Sequence, residues 1–161
     1  MEPELVHSLI QKSVNDLYKY DSYILSNHYN INERSVTHRL AIYLEKQFSD
    51  YGYHVDVEYN RMRKDYDNKD ELGNLMGKKL NWEDTGEGSS YVYPDIIVHK
   101  RDTDDNHIEI EVKMAWKNYK KQFDYDKINR YMTQLGYQFG VYVELHENLG
   151  DCLIEYGKFE F

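Results

Sequence analysis

Residues Ile108-Glu109-Ile110-Glu111-Val112-Lys113 alternate apolar and charged side chains without a break, and a period of two is the signature of a β-strand. Ile108, Ile110 and Val112 then share one face, while Glu109, Glu111 and Lys113 share the other. Glu111 and Lys113 stand roughly 6.5–7 Å apart at the usual strand rise. Upstream, Pro94-Asp95-Ile96-Ile97-Val98 sets an acid at the head of a second apolar run. Two carboxylates beside an amine suit a divalent-metal site that activates water against a phosphodiester.

The remaining pattern supplies elements around these strands. Pro3 to Ile24 reads as an amphipathic helix, with Pro3 at its first position and Leu5, Val6, Leu9, Ile10, Val14 and Leu17 at helical spacing. A second helix spans about Ile31 to Phe48, with Val36, Leu40, Tyr43, Leu44 and Phe48 as its stripe and Gly52 ending the unit. Tyr53 to Tyr59 alternates as a half-exposed strand. Tyr91 to His99 and His107 to Lys113 pair across an Asp102–Asn106 turn. Phe123 to Leu135 forms a helix closed by Gly136, Phe139 to Leu145 a strand, and Cys152 to Tyr156 a weaker one. The order is helix, helix, three strands, helix, two strands, within a single domain over 1–161. The long polar stretch from Asn60 to Ser90 reads as an insertion or lid, with Leu72, Leu75, Met76 and Leu80 as a short helix inside it.

Composition limits the chemistry. A single cysteine, Cys152, excludes an internal disulfide and a cysteine-based zinc cluster within one chain. No apolar stretch is long enough for a bilayer and no leader pattern opens the chain, so the expected setting is cytoplasmic. The net charge of −9 argues against coating nucleic acid by bulk attraction. A positive charge can still be local: Lys113 to Arg130 carries about +4 by direct count. Seventeen tyrosines serve either as half-buried packing residues or as stacking surfaces for bases.

The candidate residues each have a plainer reading. Asp95 after Pro94 is also what a turn or edge strand uses. Glu109 shares the face of Glu111 and Lys113 and reads as a solvated or substrate-side neighbour. Glu33 could close a capping box onto its own helix start, yet the helical wheel sets it among Val36, Leu40 and Leu44, facing the core. A buried carboxylate needs a partner, which a metal cluster would supply. The histidines are scattered without metal-ligand spacing, and no Walker loop, dinucleotide fingerprint or Gly-x-Ser-x-Gly elbow occurs.

Pro94-Asp95, Glu111-Val112-Lys113 and the upstream Glu33 together resemble the PD-(D/E)XK nuclease superfamily, over about residues 31 to 145. The resemblance implies an α/β fold with a restriction-endonuclease-like core, a central mixed β-sheet flanked by helices. It implies an Mg²⁺- or Mn²⁺-dependent nuclease that hydrolyses phosphodiester bonds, in DNA rather than RNA. Asp95, Glu111 and the backbone carbonyl of Val112 would bind the metal. Glu33 would orient its water, and Lys113 would orient or deprotonate the attacking water. His99, Lys100, Arg101, Lys117, Lys120, Lys121 and Lys127 are the expected phosphate-holding residues. A homodimer would reach both strands of a duplex, no membrane is involved, and a defence, phage or repair setting follows by analogy. The chain departs from the superfamily's exonuclease branches, whose following helix carries glutamine and tyrosine four apart. Here Gln134 and Tyr137, and Gln122 and Tyr125, are three apart. The alternative from another class is a non-catalytic module of the same fold that binds a protein or nucleic-acid partner.

Overall fold

A computed structural model describes residues 1–60, 77–83, 86, 88–117 and 121–157. Two helices open the chain, α1 (Pro3–Asp21) and α2 (Glu33–Phe48). Strands β1 (His54–Val57), β2 (Lys79–Asn81), β3 (Ser89–Tyr91), β4 (Ile96–His99) and β5 (Asn106–Met114) follow. Helix α3 (Lys121–Leu135) then leads to β6 (Phe139–Leu145) and β7 (Leu153–Tyr156). The fold is α/β: a mixed five-stranded sheet in the order β1-β4-β5-β6-β7, a separate two-stranded sheet of β2 and β3, and three α-helices among the described residues. None of these helices is long and apolar enough to cross a membrane.

Alternation along β5 and β6 divides the core. Ile108, Ile110, Val112 and Met114 pair in parallel register with Phe139, Val141, Val143 and Leu145. Together with Ile96 and Val98 they form one apolar cluster with the stripes of α1 and α2. The opposite face carries Ile97, Glu109, Glu111, Lys113, Gly140 and Tyr142, since strand side chains alternate. Helix α3 covers it, joined by the hairpin of β2 and β3, whose Leu80, Trp82 and Val92 pack with Ile97, Tyr131 and Tyr137. A parallel neighbour needs a crossover, and α3 is the crossover between β5 and β6.

The ends of the elements follow local chemistry. Asn32 caps α2, its Oδ1 accepting the Arg34 N–H at 2.9 Å, so the helix begins two residues later than its apolar pattern suggests. Glu45 reaches from α2 to accept the N–H of Val55 at 2.5 Å, which closes part of the outer edge of β1. Gly136 ends α3 with φ +72°, a conformation that favours glycine.

Three expectations change. The apolar run from Tyr91 to His99 is two strands, because Pro94 lacks the N–H a ladder needs and the chain changes partner there, β3 pairing with β2 and β4 with β5. The described part of the 60–90 insertion is not polar throughout: it contributes a hairpin with buried side chains. Leu80 lies in β2 and not in a helix, whereas Leu72, Leu75 and Met76 fall outside the described residues.

Candidate functional site

Strand β5 outlasts its antiparallel partner, and the site is built from that mismatch. Pairing between β4 and β5 ends at Ile96 opposite Ile110. Beyond it, the N–H groups of Val112 and Met114 face the side on which β4 has stopped, and each needs an acceptor. Asp95 Oδ2 takes the Val112 N–H at 2.9 Å, and Glu33 Oε2 takes the Met114 N–H at 3.3 Å. One carboxylate comes from the start of β4 and the other from the first residue of α2. Glu33 therefore does not fold back onto its own helix; Asn32 alone supplies the cap.

Continuing the register by one residue sets Asp95 opposite Glu111, and opposed residues of an antiparallel pair point to the same face. Lys113 follows on that face. Its Nζ lies 3.6 Å from Glu33 Oε1, 3.8 Å from Asp95 Oδ2 and 3.9 Å from Asp124 Oδ1. Burial opposes the charge of Lys113, but Asp95, Glu111, Glu33 and Asp124 outweigh it and hold the ammonium above its ordinary pKa. Lys127, from α3, stands 2.6 Å from Glu111 Oε1 as a buried ion pair. Burial works against its charge too, and Glu111 and Glu109 more than compensate. Glu111 itself is pushed up, first by burial and then by Asp95, with Lys127 pulling the other way.

These groups open into a cavity of roughly 720 Å³, lined by Glu33, Asp95, Glu111, Lys113, Asp124 and Lys127, with Asn30, Asn32, Lys117 and Phe123 at its sides. Among the described residues no group of three or more His, Cys, Asp or Glu side chains stands where it could hold a metal ion. The donors nevertheless fit magnesium in kind. That ion takes one or two protein carboxylates and completes its shell with water and phosphate oxygens. Asp95 and Glu111 are carboxylates of that kind on one face of the sheet, and Asp124 Oδ2 is buried without a hydrogen-bond partner.

Glu33, Asp95, Glu111 and Lys113 converge at one end of the sheet. Val112 meets Asp95 through its backbone, while its side chain lies in the core on the other face. Lys117 is at the cavity, its Nζ donating to the Ile31 carbonyl at 3.0 Å. Lys127 also belongs here, but as the partner of Glu111 and not as an outer phosphate contact. Lys120 lies outside the described residues.

His99, Lys100 and Arg101 are a correction. Strand β4 leads away from Asp95, so four residues cover about 13 Å toward the opposite end of the sheet. There His99 and Arg101 both hold Asp56, His99 Nε2 at 2.7 Å and Arg101 Nη2 at 2.5 Å from its carboxylate. Burial keeps His99 below the ordinary imidazole value against the pull of Asp56. Lys100 pairs with Asp105 at 3.3 Å across the turn. Lys121 is another, turned to β7 with its Nζ 2.9 Å from Glu155. Glu109 is not solvated: it is fully buried, against the expectation of an outward polar face.

Asp124 was missed, and its signal was readable. It lies one and two turns ahead of Ile128 and Tyr131, so an acid heads the buried stripe of α3. Burial pushes its carboxyl up, against the pull of Lys113 and Lys127. No protein-family model matches this chain, nor does any curated protein or solved structure.

Proposed function

We propose that this chain is a metal-dependent phosphodiesterase of the PD-(D/E)XK, restriction-endonuclease-like type, acting on nucleic acid and on DNA in preference to RNA. One observation carries the reading: Asp95, Glu111 and Lys113 share a face at the end of β4 and β5 and open, beside Glu33, into one cavity. The order α2, β1, β4, β5, α3, β6 supports it as well.

In this reading Asp95, Glu111 and the Val112 carbonyl would hold Mg²⁺ or Mn²⁺. The ion would supply Lewis-acid stabilisation of the charge that develops on the phosphate. Lys113 brings a positive donor to the phosphate, positioned by the surrounding carboxylates. Glu33 is placed to accept a proton or a hydrogen bond from the attacking water. Lys127 neutralises Glu111, so the carboxylates do not simply repel the substrate.

A second reading has its own observation. The Lys127–Glu111 pair and the lack of a three-donor group among the described residues suit a self-neutralised cluster in a module that binds without cutting. Incubation with single-stranded, duplex and branched DNA and with RNA separates the two, using magnesium, manganese and EDTA arms. Cutting that requires the ion and falls at least about 100-fold in Lys113→Ala, the usual loss for one transition-state donor, supports the enzyme. Ion-independent binding with no cutting of any substrate supports the module.

A further inference from the structure

Phe123 is out of place for a packing residue. It is 48% exposed on the first turn of α3, next to Asp124, and it lines the cavity with the carboxylates and lysines. Its ring is not loose. It stacks on Trp82 with centroids 5.3 Å apart and planes 7° from parallel. Trp82 is itself buried in the hairpin core, with the Arg130 guanidinium 4.3 Å from its ring centre. A half-exposed flat ring thus lines the cavity with a buried indole against it, and a ring already held loses little entropy on meeting a second ring.

The charge of the same cavity argues about what that ring meets. Among the described residues its lining counts four acids, Glu33, Asp95, Glu111 and Asp124, against Lys113, Lys117 and Lys127, on a protein of net charge −9. Affinity for duplex DNA comes largely from cations that displace counterions along the phosphates, and the described lining offers no such surplus. Stacking on an aromatic ring is insensitive to that shortage and accepts any base, but the base must be unpaired to reach the ring.

We propose that Phe123, braced by Trp82, is a stacking platform for an unpaired nucleobase next to the reacting phosphate, so that the substrate is single-stranded or locally melted nucleic acid. This deepens the nuclease reading and rests on it. Asp124, the next residue, stands 3.9 Å from Lys113 Nζ, which keeps the platform adjacent to the proposed chemistry.

The test is equilibrium binding by fluorescence anisotropy in EDTA, where no metal-dependent cutting intervenes. The probes are a labelled short oligothymidylate and a blunt duplex of equal length. Phe123→Leu keeps Trp82 covered without a flat face, and Phe123→Trp restores one. The full-length parent should prefer the single strand, Phe123→Leu should lose that binding about tenfold, Phe123→Trp should retain it, and duplex binding should stay unchanged. Single-strand affinity equal in parent and Phe123→Leu, or a parent that prefers duplex, overturns the platform. Adding magnesium distinguishes the two readings. A parent that binds single strands through Phe123 yet cuts nothing keeps the platform and loses the nuclease. One that cuts duplex while Phe123→Leu binds unchanged keeps the nuclease and loses the platform.

Discussion

At the residue scale, the buried Lys127–Glu111 pair is the group most exposed to a single change. Removing the ammonium leaves a carboxylate in the interior without its counter-charge. Breaking such a pair costs about 3–5 kcal/mol, so Lys127→Met should lower urea-unfolding stability by that amount. Adding Glu111→Gln to Lys127→Met should recover much of it, because the uncompensated charge goes too. Glu109 makes a different prediction. Neither of its oxygens makes an aligned hydrogen bond, although the carboxyl lies beside that of Glu111. Burial, then Glu111, raise it well above the usual carboxylate range. The folded state thus keeps a proton that the unfolded chain gives up at about pH 4.5, near the free glutamate value. Its contribution to stability is complete below that pH and declines as pH rises through the folded pKa. Glu109→Gln, neutral throughout, should show a flatter stability profile above about pH 4.5, read by urea unfolding at each pH.

At the element scale, α3 carries Phe123, Asp124 and Lys127 to the site, and its seat on the sheet is Gly140. A Cβ there would meet Ile128 Cγ2 at 2.3 Å and Met132 Sδ at 2.8 Å, so the helix must lift. Overpacking of this kind costs about 1–3 kcal/mol. Gly140→Ala should therefore lower the unfolding midpoint and, in the nuclease reading, reduce cleavage further than its stability loss explains, since Lys127 and Asp124 would move with the helix. The limits of sequence reading lie at the same scale. Helices α1 and α2 and strands β5 and β6 were legible because their apolar positions repeat over many residues. Glu111 and Lys113 were legible for the same reason, since a period of two fixes which side chains of one strand share a face, and Asp95 only through the resemblance that joins Pro94-Asp95 to Glu111-Val112-Lys113. Lys127 depends on how α3 docks on the sheet, which no local period states, whereas Asp124 falls on the helix's own buried period. His99, Lys100 and Arg101 are close to Asp95 in sequence, but an extended strand turns a few residues into a long separation. The β2–β3 hairpin is short, polar in part and interrupted by glycines, so its buried Leu80 and Trp82 left no alternation to follow.

At the scale of the whole molecule, the net charge of −9 repels the substrate proposed for its own cavity. Asp50, exposed beyond the C-terminal end of α2, and Asp104, exposed in the β4–β5 turn, lie away from the cavity. Replacing both by lysine should speed association with oligonucleotide at low ionic strength, with the gain fading as salt screens it. Stopped-flow anisotropy at two salt concentrations reads this out. Binding of Mn²⁺ to the purified protein, followed by titration with Asp95→Ala and Glu111→Ala alongside, bears most directly on the central claim. The carboxylate pair predicts one divalent-ion site in the parent and its loss in each variant, with both variants still folded. Folded Asp95→Ala or Glu111→Ala protein that takes up Mn²⁺ with the parent's affinity would contradict it.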